Sequence, residues 1–366
     1  MISFPRLARV QVTVYRIPTD RPESDGTLEW SATTMVLVEL EAAGHTGLGY
    51  TYADAATASV IRDTLAPVVS GIDVGDIARA HGLMRRAVRN LGNCGIAAMA
   101  VSAVDNALWD LKACVLGVPL FTLLGAVRDS YPVYGSGGFT SYSDAELTAQ
   151  FEAWAEKGIR MMKMKVGREP HRDAARVAAA RRAIGDEALL FVDANSAYDR
   201  KAALFYMERF AGDSDVRWME QPLAPDDLSG LRWLREHAPA GMDVVDGEYG
   251  YAPADFRRML EADAVDVVMP DTTRCGGITG FLDAGAIAAA FMRPASAHCA
   301  PTQTAHVGCA APALRHGELF HDHERIERRL FDGFLEPHNG VMSPDATRPG
   351  LGIEFKRADA EQFRRS

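Results

Sequence analysis

The chain has 366 residues, 48% hydrophobic and 24% charged, with 39 basic against 49 acidic side chains and a net charge of −10. This length suits about two domains, and the apolar content excludes a disordered chain. The acidic balance leaves no electrostatic footprint for nucleic acid or an anionic membrane, and no uncharged apolar run approaches the ~20 residues of a bilayer span.

The opening MISFPRLARVQVTVYRIP carries Arg6, Arg9 and Arg16 through its apolar stretch, which argues against a signal peptide. Val10, Val12 and Val14 alternate, as do Val36, Val38 and Leu40, and GHTGLGY (44–50) supplies turn glycines. Period two predicts half-buried strands. Residues 76–118 turn helical and rich in Ala and Leu. Strands followed by helices make residues 1–125 an α+β domain. The five cysteines (94, 114, 275, 299, 309) form no C-x-x-C pair. A disulfide framework and a thiolate zinc site are not expected, and a cytoplasmic location fits.

From about 131 the texture repeats. Short runs (PVYGSGG, RMMKMKVG, ALLFVDAN, VRWMEQP, DVVDGE, AVDVVMPD, RPASAH) alternate with helical segments. This βαβα order implies a parallel sheet covered by helices, and seven or eight such units over 126–330 close a (β/α) barrel. Residues 331–366 read as a loop-rich segment packing back on the first domain. YGSGGF (134–139) lacks a nucleotide-binding spacing and reads as a strand end turning toward the site. HDHER (321–325) reads as a solvated or domain-bridging loop.

The runs end on ionisable residues: Lys163 and Lys165, then Asp193, Glu220, Glu248, Asp271, His298 and Glu318. The steps from Lys165 are 28, 27, 28, 23, 27 and 20 residues, about one βα unit each. Each unit thus offers one such group at the carboxyl end of its strand, the end where barrel active sites form. Asp193, Glu220 and Glu248 would repel one another unless a hard dication joined them, and an all-oxygen set suits Mg²⁺. Asp246, two residues before Glu248, is a lesser candidate ligand. Lys163 and Lys165 share a strand face, and their repulsion beside a metal is expected to lower the working pKa to ~7–8. Asp271 and His298 are placed to pair, the carboxylate orienting the imidazole. Glu318 is expected as a neutral acid facing developing negative charge. A Schiff-base aldolase would also use a strand lysine, but needs no carboxylate triad.

These residues resemble the enolase superfamily, in its mandelate racemase-like subgroup. The resemblance rests on the K-x-K of Lys163 and Lys165, the carboxylates Asp193, Glu220 and Glu248, the dyad Asp271 and His298, and Glu318. NALWDLKACVLGVPLFTLLG (106–125) and PGLGIEF near the C-terminus add to it. PDTTRCGG carries Arg274 where muconate-lactonising relatives have a lysine. The resemblance implies an α+β capping domain on a modified TIM barrel, (β/α)7β. It implies Mg²⁺ and abstraction of the proton α to a carboxylate, giving an enediolate. Lys165 would serve one face, His298 the other, with Lys163 touching the carboxylate. A sugar-acid dehydratase is the leading expectation, with a racemase, epimerase or sugar-lactone cycloisomerase behind it. A homo-oligomer, dimer to octamer, is also implied. Specificity is expected in the loops 16–30 and 49–57, with Arg21, Tyr50 and Tyr52 as candidate substrate contacts.

Overall fold

The computed structural model describes residues 4–365. β1 (Arg9–Ser24), β2 (Glu29–Ala42) and β3 (His45–Tyr52) form an antiparallel meander. β2 is buried on both faces, not on one. Val36, Val38 and Leu40 pack under the domain's helices, while Met35 and Leu37 join Ile326, Leu330 and Phe331 on the other side. β1 and β2 also take in most of the segment expected as a loop, leaving a short turn at 25–28. Asp25 pins that turn by accepting from the Thr27 and Leu28 amides at 2.7 and 2.6 Å.

The 22-residue helix Gly95–Leu116 lies across β3. Gly49 permits that approach: a Cβ there would sit 2.2 Å from the Ala103 carbonyl oxygen. The helix also reaches the barrel. Asp105 accepts from the Thr279 amide (2.9 Å) and hydroxyl (2.8 Å), and Asn106 accepts from the Ile278 amide at 2.9 Å.

The barrel strands are β4 (Tyr131–Gly137), β5 (Met161–Lys165), β6 (Leu189–Asp193), β7 (Val216–Glu220), β8 (Asp243–Asp246), β9 (Val267–Val268), β10 (Ala295–Ala297) and β11 (Leu314–Phe320). Neighbours pair in parallel, and β11 closes on β4 with Glu318 opposite Tyr134. Seven crossover helices join them, which is the (β/α)7β arrangement. Tyr134, Phe191, Trp218, Val245, Val267 and Met269 plug the barrel. Below the site this leaves a packed core rather than a pore.

The stretch read as a solvated loop is instead a helix, His321–Leu330, following β11 with no intervening turn. Its buried face is largely polar, which hides it from a search for apolar periodicity. It does bridge the domains: Asp322 accepts from the Thr33 hydroxyl, and Tyr52 donates to Glu327 at 3.3 Å. The last residues return to both parts of the chain. Val341–Met342 pairs with β4, the Leu351 amide donates to Asp110 at 2.6 Å, and Arg364–Arg365 pairs with β1.

Candidate active site

The strand register brings the predicted residues together at the carboxyl end of the barrel. Lys165 stands opposite Asp193, Asp193 opposite Glu220, and Asp271 bridges His298. Glu248 lies beyond the end of β8. Gly247 turns the chain there at φ 139°, and a Cβ at that position would meet the Met269 amide nitrogen at 2.6 Å. Non-glycine residues also turn left-handed just past the site: Asn195 and Ser196, Gln221, and Cys299 and Ala300. Such strain concentrates where surrounding structure fixes functional geometry.

Lys163 has no exposed surface. Its Nζ lies 2.5 Å from Glu220 Oε1, 2.8 Å from Glu318 Oε1 and 3.7 Å from Asp193 Oδ2. Lys165 Nζ lies 2.5 Å from Asp193 Oδ2. Trp218 donates to the other oxygen of Glu220 at 2.9 Å. His298 Nδ1 meets Asp271 at 2.7 Å, and its Nε2 meets Glu248 at 2.7 Å and Glu318 at 3.5 Å. Arg274 completes the ring, 3.6 Å from Glu248 and 3.4 Å from Asp271, with its guanidinium over the Tyr249 ring.

With the protein side chains alone, two shifts run opposite to expectation. Burial alone favours neutral lysines, but Glu220, Glu318 and Asp193 around Lys163, and Asp193 beside Lys165, hold both ammonium groups above the ordinary lysine range. Glu318 is held below the ordinary carboxylate range, because Lys163 and His298 outweigh its burial. Burial also opposes charge on His298, yet Glu248, Glu318 and Asp271 raise it well above the ordinary histidine value. Asp246 is pushed up to about 8 by burial, and its Oδ2 has no hydrogen-bond partner.

The carboxylates Asp193, Glu220 and Glu248 do not all approach within 4.8 Å of one another, because Glu248 is turned onto His298 and Arg274. Among the described residues only Asp271, His298 and Cys299 meet that limit. The donor chemistry nevertheless fits a hard divalent cation. Three buried carboxylates end consecutive units, and Asp193 and Glu220 already converge on a single cation, Lys163 Nζ.

The loop candidates separate. Tyr52 lines a cavity of about 350 Å³ between the two domains and stacks on His323, centroids 3.5 Å apart. Tyr50 does not face it; the ring is fully buried against Phe331. Arg21 is also outside, ion-paired with Glu146 above the Tyr142 ring. Trp30, Thr33, Asp322 and His323 line the cavity and were not singled out as substrate contacts by the sequence. Asp322 and His323 fall within HDHER, whose run of charged and histidine residues was the signal available in the sequence. Arg274 lines the cavity too, which joins it to the ring of charges.

Residues 9–125 match the mandelate racemase/muconate lactonizing enzyme N-terminal domain, and residues 146–360 match the enolase C-terminal domain-like family. The chain belongs to the mandelate racemase/muconate lactonizing enzyme family. A family member from Rubrobacter xylanophilus, a mandelate racemase/muconate lactonizing enzyme-like protein, superposes with a TM-score of 0.97 at 48% identity, covering 99% of this chain and 100% of that one. The 3,6-anhydro-alpha-L-galactonate cycloisomerase of Streptomyces coelicolor is 31% identical, over 96% of this chain and 98% of its own. The L-talarate/galactarate dehydratase of Salmonella typhimurium is 31% identical over 98% of this chain and 90% of its own. Its crystal structure with Mg and L-lyxarohydroxamate matches with a TM-score of 0.90 at 29% identity, covering 99% and 94% of the two chains. The protein is an enzyme whose relatives are named as a dehydratase and as cycloisomerases, and several of the matched structures hold magnesium. No helix among the described residues is long and apolar enough to cross a membrane.

Proposed function

We propose that this enzyme is a Mg²⁺-dependent acid-sugar dehydratase. It removes the proton α to a carboxylate and expels the hydroxyl of the next carbon. The observation that carries this reading is the pair Lys165 and His298. Their units, β5 and β10, stand three steps apart round the closed barrel by the shorter path, with Glu318 between, while Asp193, Glu220, Glu248 and Asp271 lie along the longer one. Proton transfer to and from opposite sides of a bound acid needs such a pair.

Asp193, Glu220 and Glu248 would hold the ion once Glu248 swings off His298, and the chemistry it supplies there is Lewis-acid neutralisation of the substrate carboxylate. Lys163, fixed by Glu220 and Glu318, donates to the same carboxylate. Lys165, released from Asp193 as a neutral amine, takes the α-proton. His298, oriented by Asp271, gives its proton to the departing 3-hydroxyl, which leaves as water. The resulting enol reverts to a 2-keto acid. In this reading residues 1–125 cap the site, 126–330 form the barrel and 331–366 tie the two together. Five free cysteines, three of them buried, support a reducing, cytoplasmic setting. A homo-oligomer, dimer to octamer, is part of the proposal, and sedimentation measures it.

The 31% identity to a cycloisomerase favours a second reading, in which the same α-proton chemistry opens a sugar lactone or anhydro ring. Product analysis separates them. The holoenzyme with Mg²⁺ is offered a library of sugar acids in D₂O. Formation of a 2-keto acid is expected, with solvent deuterium entering at C3 as the enol reverts. If no acid in the library yields product or exchanges its α-proton, the proposal fails.

A further inference from the structure

The cavity runs from Arg274, beside the reacting groups, to Asp322 and Thr33 where the domains meet. Its charged lining is unequal. Arg274 is already drawn to two carboxylates, Glu248 and Asp271. Beyond it stand Asp54 and Asp322 with no lysine or arginine between them. His323 adds no positive charge, since burial pulls it down to about 3. Arg325 is paired with Asp322 and opens onto a different cavity. Behind Trp30, which donates to it at 2.9 Å, lies the fully buried Glu23, pushed up to about 8 by burial, so it adds a polar partner rather than a charge.

A carboxylate placed at this end would lose its water beside Asp54 and Asp322 and gain no free cation, since Arg325 is already paired with Asp322. That loss costs heavily. A hydroxylated end meets what it needs: acceptors on Asp322 and Asp54, the Thr33 hydroxyl, and the faces of Trp30 and Tyr52. We propose that the substrate is a monocarboxylic sugar acid with a neutral polyol end, and that Asp322 is the specificity residue that excludes diacids. This rests on the dehydratase reading and narrows its substrate class. It also divides the relatives, one of which is named for two diacids and another for a monoacid.

The test is kcat/KM of the holoenzyme on aldonic and aldaric acids of matched stereochemistry, for the natural enzyme and for Asp322→Asn. The natural enzyme is expected to favour the monoacid by roughly 100-fold, the scale of one like-charge contact. Asp322→Asn should shift that ratio at least tenfold toward the diacid. If the variant is unstable, Thr33→Val serves; it should raise KM for the monoacid more than for the diacid. A diacid preferred by the natural enzyme overturns this inference and leaves the dehydratase reading intact. A ratio unmoved by Asp322→Asn overturns the role of Asp322. Absence of α-proton exchange with either class overturns both readings.

Discussion

Lys163 and Lys165 show what a sequence can and cannot disclose about a single side chain. Their i, i+2 spacing on a strand places them on one face. Their charge state depends on how many carboxylates surround each ammonium, and those come from β6, β7 and β11. A linear reading weighs the repulsion between the two lysines and misses Asp193 at 2.5 Å from one and Glu220 at 2.5 Å from the other. Tyr50 and Tyr52 make the same point. They share a strand face, and only the second lies far enough along β3 to reach the cavity. Lys165→Ala and His298→Asn are each expected to lower kcat by ~10²–10⁴, the usual worth of a proton-transfer group. Calorimetric Mg²⁺ binding should survive in both. Turnover unchanged in both variants rules out the two-base scheme.

Elements were legible where pattern and packing agree. The barrel units could be counted because each strand ends on a polar group in step with the last. β9 and β10 are reduced to two and three residues, so the terminating Asp271 and His298 mark them better than their apolar content does. The helix His321–Leu330 was not legible, because its buried positions include Asp322, His323, Glu324 and Glu327. The helix Gly95–Leu116 carries a buried titratable group of another kind. Burial pushes Asp105 up to about 7, against hydrogen bonds from Thr279 that favour the anion. A carboxyl whose folded pKa exceeds its unfolded value near 3.8 leaves the native state binding more protons, so stability falls as pH rises between those values. Asp105→Asn should therefore gain in Tm relative to the natural protein as pH goes from about 4 to about 7. A difference that shrinks over that range assigns Asp105 the opposite sign.

At the scale of the whole molecule, the two domains share one set of contacts. Thr51 donates to the Thr273 carbonyl at 2.8 Å, Gln303 to the Tyr50 carbonyl at 3.1 Å, and Tyr52 to Glu327. Because the ion would join side chains from separate barrel units, its binding energy should appear as stability of the entire chain. At 100 times its Kd, Mg²⁺ is expected to add about 2.7 kcal/mol. Asp193→Asn should lose most of that gain in a thermal melt, and an equal gain in the variant places the ion elsewhere. Glu318 on β11 and Asp322 on the helix that continues it form one rigid stretch, four residues apart with no hinge between. Anyone wishing to retailor which acids this enzyme accepts therefore does better to edit Trp30 or Thr33. Both hang from the cap on β2, outside that stretch, and Thr33 touches it only through its hydrogen bond to Asp322.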